Sequence, residues 1–184
     1  CRAPMVDFFP DNLNTIDLFN TDVEPFTICP NYDVVFMDWP DQKVRPIRII
    51  KEMSIRTRLN NKLINDYPTY SKTLKNNNPV MLYKIPLLKW EQNTVVIHAG
   101  HISNHLPSNK VQASLAHFKF FPGWKIKVNN ALKKQQYALN SAMYRPLAVA
   151  ANLLGDWPLK GPWTKVMSSM DALSDSDLVF DTLL

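Results

Sequence analysis

Leu115-Ala116-His117-Phe118-Lys119-Phe120-Phe121 is the stretch on which the fold turns. Its alternation predicts a strand with Leu115, His117 and Lys119 on one face and Ala116, Phe118 and Phe120 on the other. The apolar face suits a core, while His117 and Lys119 project together, about 7 Å apart by strand geometry. An imidazole and an ammonium on one face suit a metal ion or an anionic group such as a phosphate. Taken alone, the same alternation also describes an ordinary half-buried strand.

Working outward, the strand extends over Gln112–Phe121 and is followed by a helix over Trp124–Leu139. That helix carries Trp124, Val128, Leu132, Gln135 and Leu139 on one stripe. A second helix runs from Pro146 to Leu154, with Pro146 tolerated in its first turn and Gly155 placed to stop it. Asp171–Leu184 has room for one short helix. Upstream, Ala3–Phe9 reads as a strand ending at the turn signal Pro10-Asp11-Asn12. Residues 13–46 are irregular, punctuated by Pro25, Pro30, Pro40 and Pro46. Ser54–Asn65 forms a helix with Ile55, Leu59 and Leu63 on one side. Asn76 to Pro79 is a loop, and Val80–Trp90 and Thr94–His98 are strands, the first broken by Pro86. The expected architecture is α/β: a single domain over 1–184 in which Ala3–Phe9 and Gln112–Phe121 share one mixed sheet, with flanking helices packed on it after residue 123.

Composition narrows the function classes. A chain of 184 residues with 46% hydrophobic and 20% charged residues is an ordinary globular domain. Only 4 glycines stand against 14 prolines, which disfavours glycine-rich phosphate loops and favours fixed, extended connections. No run approaches the roughly 18 apolar residues of a membrane helix, so no transmembrane segment is expected. Cys1 and Cys29 have no metal-ligand spacing and are too few for a disulfide framework, in keeping with a cytoplasmic setting. The chain opens on Cys1-Arg2-Ala3-Pro4 and enters a core-like strand at once, as a piece of a longer chain would; a processed terminus would read the same way. Charge falls in blocks. Residues 1–42 carry eight acids and one arginine, whereas residues 43–62 hold seven Lys/Arg against Glu52, and 110–134 hold six lysines and no acid. Such blocks imply either an anionic ligand or complementarity within the domain.

Catalytic signatures are sparse. There is no nucleophile elbow, P-loop or dinucleotide fingerprint. His98, His101 and His105 have helical metal-pair spacing but fall in strand and loop, where that spacing does not apply. Asp7, set between Val6 and Phe8, either lies on an exposed face or is kept for a task.

The order of segments resembles the C-terminal portion of the bacterial glycosyltransferase family 2-like proteins. The matching pieces are Met5-Val6-Asp7-Phe8-Phe9, Pro25-Phe26 to Cys29-Pro30-Asn31-Tyr32-Asp33, and Ile55-Arg56-Thr57-Arg58. Then come Tyr83-Lys84-Ile85-Pro86-Leu87-Leu88-Lys89-Trp90, Gly100-His101, the His117-Phe118-Lys119-Phe120 strand, and Met143-Tyr144-Arg145. Together they cover almost the full chain. The resemblance implies a glycosyltransferase A-type fold and transfer of a sugar from a nucleotide-sugar donor to a glycan or cell-surface acceptor. An upstream half would carry an Asp-x-Asp motif for Mg²⁺ or Mn²⁺. It further implies His117 as a metal ligand or diphosphate contact, Lys119 as a cation beside it, and Asp7 as the base toward the acceptor hydroxyl. Arg56 and Arg58 would reach phosphate or acceptor groups, His101 would sit near the donor, and Trp90 would stack on a sugar ring. Two departures stand out. Asp38-Trp39-Pro40-Asp41 and Asp175-Ser176-Asp177 lie downstream of the strand that should follow the acidic motif. Lys51-Glu52-Met53-Ser54 replaces the glycines usual before the arginine. Turnover by this chain alone is therefore not expected. A non-catalytic carbohydrate-binding or interaction domain stays open. So does a basic nucleic-acid binder stacking bases on Phe118, Phe120 and Trp124, which the acidic N-terminal block opposes.

Overall fold

The computed structural model describes residues 3–20, 22–33, 37–38, 48–49, 55–70, 83–84, 88, 90–97, 102–104, 115–137, 140–167 and 169. Its centre is β1 (Ala3–Phe9). Parallel to it runs β8 (Leu115–Phe118), and antiparallel to it run β2 (Asn31–Asp33) and β5 (Tyr83–Lys84); β9 (Thr164–Val166) extends the sheet beyond β2. The result is the expected mixed sheet, five strands in all. Two small antiparallel pairs stand apart from it: β3 (Met37–Asp38) with β4 (Arg48–Ile49), and β6 (Val96–Ile97) with β7 (Ile102–Ser103).

The helices follow from local chemistry. Glu24 accepts hydrogen bonds from the Phe26 and Thr27 amides, and Pro25 fixes the first turn of the one-turn helix α1 (Pro25–Ile28). In α2 (Ile55–Asp66), Ile55, Leu59 and Leu63 recur at intervals of four and are all buried. Helix α3 (Trp124–Lys134) starts at Gly123, whose φ of +85° suits glycine, and buries Trp124, Val128 and Ala131. It stops five residues short of the expected Leu139, because Gln135 adopts the left-handed conformation (φ +49°) that closes a helix. Helix α4 (Arg145–Leu153) has Pro146 in its first turn and buries Leu147 and Ala150.

These elements share one core, in which Val6, Phe8 and Phe9 of β1 meet Leu59 and Leu63 of α2, Trp124 and Val128 of α3, and Leu147 of α4. An aromatic knot forms its middle: Phe8 lies 5.0 Å from Phe26 edge-on and 5.1 Å from Phe118 in a stack. Because neighbours cover both faces of β1, every residue from Met5 to Phe9 is buried, Asp7 included. Three expectations change here. The stretch 13–46 is not wholly irregular, since β2 completes the sheet; β9 carried no strand signal; and Ala116, assigned to the core face, is exposed. The expected loop at 76–79 and helix at 171–184 lie outside the described residues.

Candidate functional site

The parallel register sets Asp7 of β1 directly opposite His117 of β8. Arg56, in the first turn of α2, reaches the same point. Asp7 Oδ1 accepts a hydrogen bond from Arg56 Nη2 at 2.5 Å and lies 2.5 Å from His117 Nδ1. Nη2 and Nδ1 are 3.1 Å apart. Two nitrogens converging on one carboxylate oxygen assign the proton to Nδ1, so in the neutral ring Nε2 keeps the lone pair. Side-chain exposure grades outward from Asp7 at 4% through Arg56 at 10% to His117 at 37%. Burial pushes the Asp7 carboxyl up, but the Arg56 guanidinium and then His117 outweigh it and hold it at about 2. Such a carboxylate is a fixed anion and a poor proton acceptor. That does not suit the general-base role expected for Asp7.

Lys119 does not continue the His117 face. Strand β8 ends at Phe118, and the Lys119 amide turns back to donate to the His117 carbonyl at 3.2 Å. The alternation that would have paired the two side chains is broken at that point. Lys119 is half-buried, its Nζ 5.4 Å from the centre of the Tyr144 ring. Burial first, then the Arg56 charge, lowers its ammonium to about 7; Asp7 opposes the shift and Lys127 adds to it. Lys119 lines a cavity of about 370 Å³ with Pro25, Phe118, Phe121 and Trp124, and neither Asp7 nor His117 lines that cavity. The shared face expected for His117 and Lys119 is thus replaced by a cluster around Asp7 with a cavity alongside it.

Arg58 belongs elsewhere. Two residues apart on a helix, Arg56 and Arg58 project to nearly opposite sides. Arg58 Nη2 pairs with Asp33 Oδ2 at 3.0 Å and donates to the Leu159 carbonyl at 2.6 Å, and its guanidinium lies 5.6 Å from the Phe9 ring centre. Thr164 Oγ1 donates to the other Asp33 oxygen at 2.7 Å. This arrangement ties α2 to β2 and β9, so Arg58 is structural rather than a substrate contact. Burial pushes the Asp33 carboxyl up despite the Arg58 charge. Trp90 is 73% exposed, not a core residue, and His101 lies outside the described residues. Sequence reasoning missed Asp33; the signal available was a carboxylate embedded in Pro30-Asn31-Tyr32-Asp33, a segment otherwise fit for burial.

No protein-family model, no curated protein and no solved structure matches this chain. The described residues contain no group of three His, Cys, Asp or Glu side chains able to hold a metal. His117 nevertheless fits the divalent metal that the resemblance implies as a single donor. A ring whose Nδ1 meets a carboxylate and whose Nε2 has no hydrogen-bond partner among the described residues has the usual form of a metal-ligating histidine. No helix among the described residues is long and apolar enough to cross a membrane.

Proposed function

We propose that this chain is the C-terminal portion of a family 2-like glycosyltransferase of the A-type fold, acting in the cytoplasm on a nucleotide-sugar donor. The observation that carries the proposal is the Asp7–Arg56–His117 cluster, because three segments of the resemblance, far apart in sequence, meet at one carboxylate oxygen. In this account Asp7 fixes the ring of His117, and His117 offers Nε2 toward the donor's metal-bound diphosphate. The metal, Mg²⁺ or Mn²⁺, would neutralise the leaving diphosphate. Arg56 holds Asp7 ionised and adds positive potential on the same side, and Lys119 extends it. The acceptor base lies outside this cluster, since the one buried carboxylate in it is held too acidic.

Thermal melts test the proposal. With uridine or guanosine diphosphate sugars plus Mn²⁺, this chain alone should shift little, because one histidine is not a metal site. A version extended upstream should shift clearly, and His117→Ala should reduce that shift. An extended chain that no nucleotide-sugar stabilises would defeat it. A second reading, a non-catalytic carbohydrate-binding domain, draws on the exposed rings of Trp90 and Trp163, 73% and 52% accessible. It predicts glycan binding that is independent of Mn²⁺ and unaffected by His117→Ala.

A further inference from the structure

The cavity beside the cluster has its own chemistry. Phe118, Phe121 and Trp124 supply aromatic wall, Pro25 a rigid side, and Lys119 and Lys127 are the charged groups lining it among the described residues. At about 370 Å³ it lies at the lower end of small-molecule sites and is too small for a folded partner. Helix α3 begins on its edge, at Gly123 and Trp124. That helix has no side-chain cap and no acid in its first turn, so no side chain there offsets its positive end. Lys125 is taken up by Asp17 at 2.5 Å, whereas Lys127 makes no salt bridge among the described residues. Trp124 is 3% exposed, yet its indole N–H has no hydrogen-bond partner among the described residues.

We infer that this cavity binds a small amphiphilic anion: a flat apolar body carrying one carboxylate, sulfonate or phosphate. The body lies against Phe118, Phe121 and Trp124, and the head meets Lys119, Lys127 and the first turn of α3. Two lysines drawn together at the end of an uncapped helix repel each other, and an anionic head relieves that repulsion as well as the desolvation of Lys119. The aromatic walls exclude a bare inorganic ion as the best occupant, because it would leave them in water. The inference does not rest on the transferase proposal, and either can fail alone.

Anilinonaphthalene sulfonate and phenylnaphthylamine, the same body without the sulfonate, provide the test, read by fluorescence on the folded chain. The sulfonate should bind at one saturable site, with energy transfer from tryptophan, and the uncharged amine about tenfold more weakly. Lys127→Met and Lys119→Met should each weaken the sulfonate severalfold while keeping a cooperative melt, and Lys127→Met alone decides should Lys119→Met not fold. Inorganic phosphate should displace the dye poorly. Equal affinity for the two dyes, unchanged binding in Lys127→Met, or no saturable binding would each overturn the inference.

Discussion

Replacing Asp7 by Asn removes the charge on which Arg56 and His117 converge while keeping the shape of the side chain. The carboxyl falls from its ordinary 3.8 to about 2 in the folded chain. At about 1.36 kcal/mol per unit, this is about 2 kcal/mol of stability that only the ionised form provides. A folded-state value below the unfolded one means the contribution is complete above the unfolded value and is lost as pH falls through the folded one. Asp7→Asn also strands the largely buried Arg56 guanidinium, for which losses of roughly 3–5 kcal/mol are usual, and relieves Asp33, which the Asp7 charge pushes up. Near neutral pH the expected cost is therefore about 2–4 kcal/mol, or roughly 5–15 °C in Tm for a chain of this length. Urea unfolding of both proteins should show the gap narrowing by about 2 kcal/mol between roughly pH 5 and pH 2. A cost below about 0.5 kcal/mol, or a gap that does not change with pH, would refute the picture of Asp7 as an ionised anchor.

Other consequences are separately measurable. Gly161→Ala should destabilise by about 1–3 kcal/mol in thermal melts, because a Cβ there would clash with Arg58 Nη1, on a guanidinium whose Nη2 is already held by Asp33 and Leu159. Lys119 loses its proton near 7 when folded but near 10.5 when unfolded, so the unfolded chain binds the extra proton between those values and folding stability rises with pH across them. Lys119→Met should abolish that rise in urea titrations compared from pH 6 to pH 9. Burial pushes the Cys29 thiol up to about 12, and it donates to the Phe120 carbonyl at 2.7 Å. Mass spectrometry of the Cys29 peptide after iodoacetamide should find it unmodified until the chain is unfolded.

Long, periodic segments were legible in the sequence. Ala3–Phe9 forms with the boundaries its apolar run suggests, and the Ile55, Leu59, Leu63 spacing places α2 to within a residue at each end. Three-residue strands were not legible. Asn31–Asp33 has two polar residues, buried because Asn31 Nδ2 donates to the Phe9 carbonyl and Asp33 pairs with Arg58, contacts made by residues distant in the chain. For the candidate site, the residue types were visible and their grouping was not. Asp7 looked fit for an exposed face because alternation assumes one wet side, and β1 has none. Lys119 looked fit to stand beside His117 because nothing in Phe118-Lys119-Phe120 announces the turn that ends the strand. The blocks of opposite charge proved to be complementary at particular pairs: Asp7 with Arg56, Asp33 with Arg58, and Asp17 with Lys125.

The most direct measurement is release of nucleoside diphosphate from uridine and guanosine diphosphate sugars by the upstream-extended chain in Mn²⁺, compared with its Asp7→Asn and His117→Ala forms. The account predicts turnover by the extended chain, a loss of about 10–100-fold in Asp7→Asn where the histidine is no longer held, and a larger loss in His117→Ala with the fold intact by circular dichroism. No turnover of any donor by the extended chain, or full activity in a folded His117→Ala protein, would contradict it.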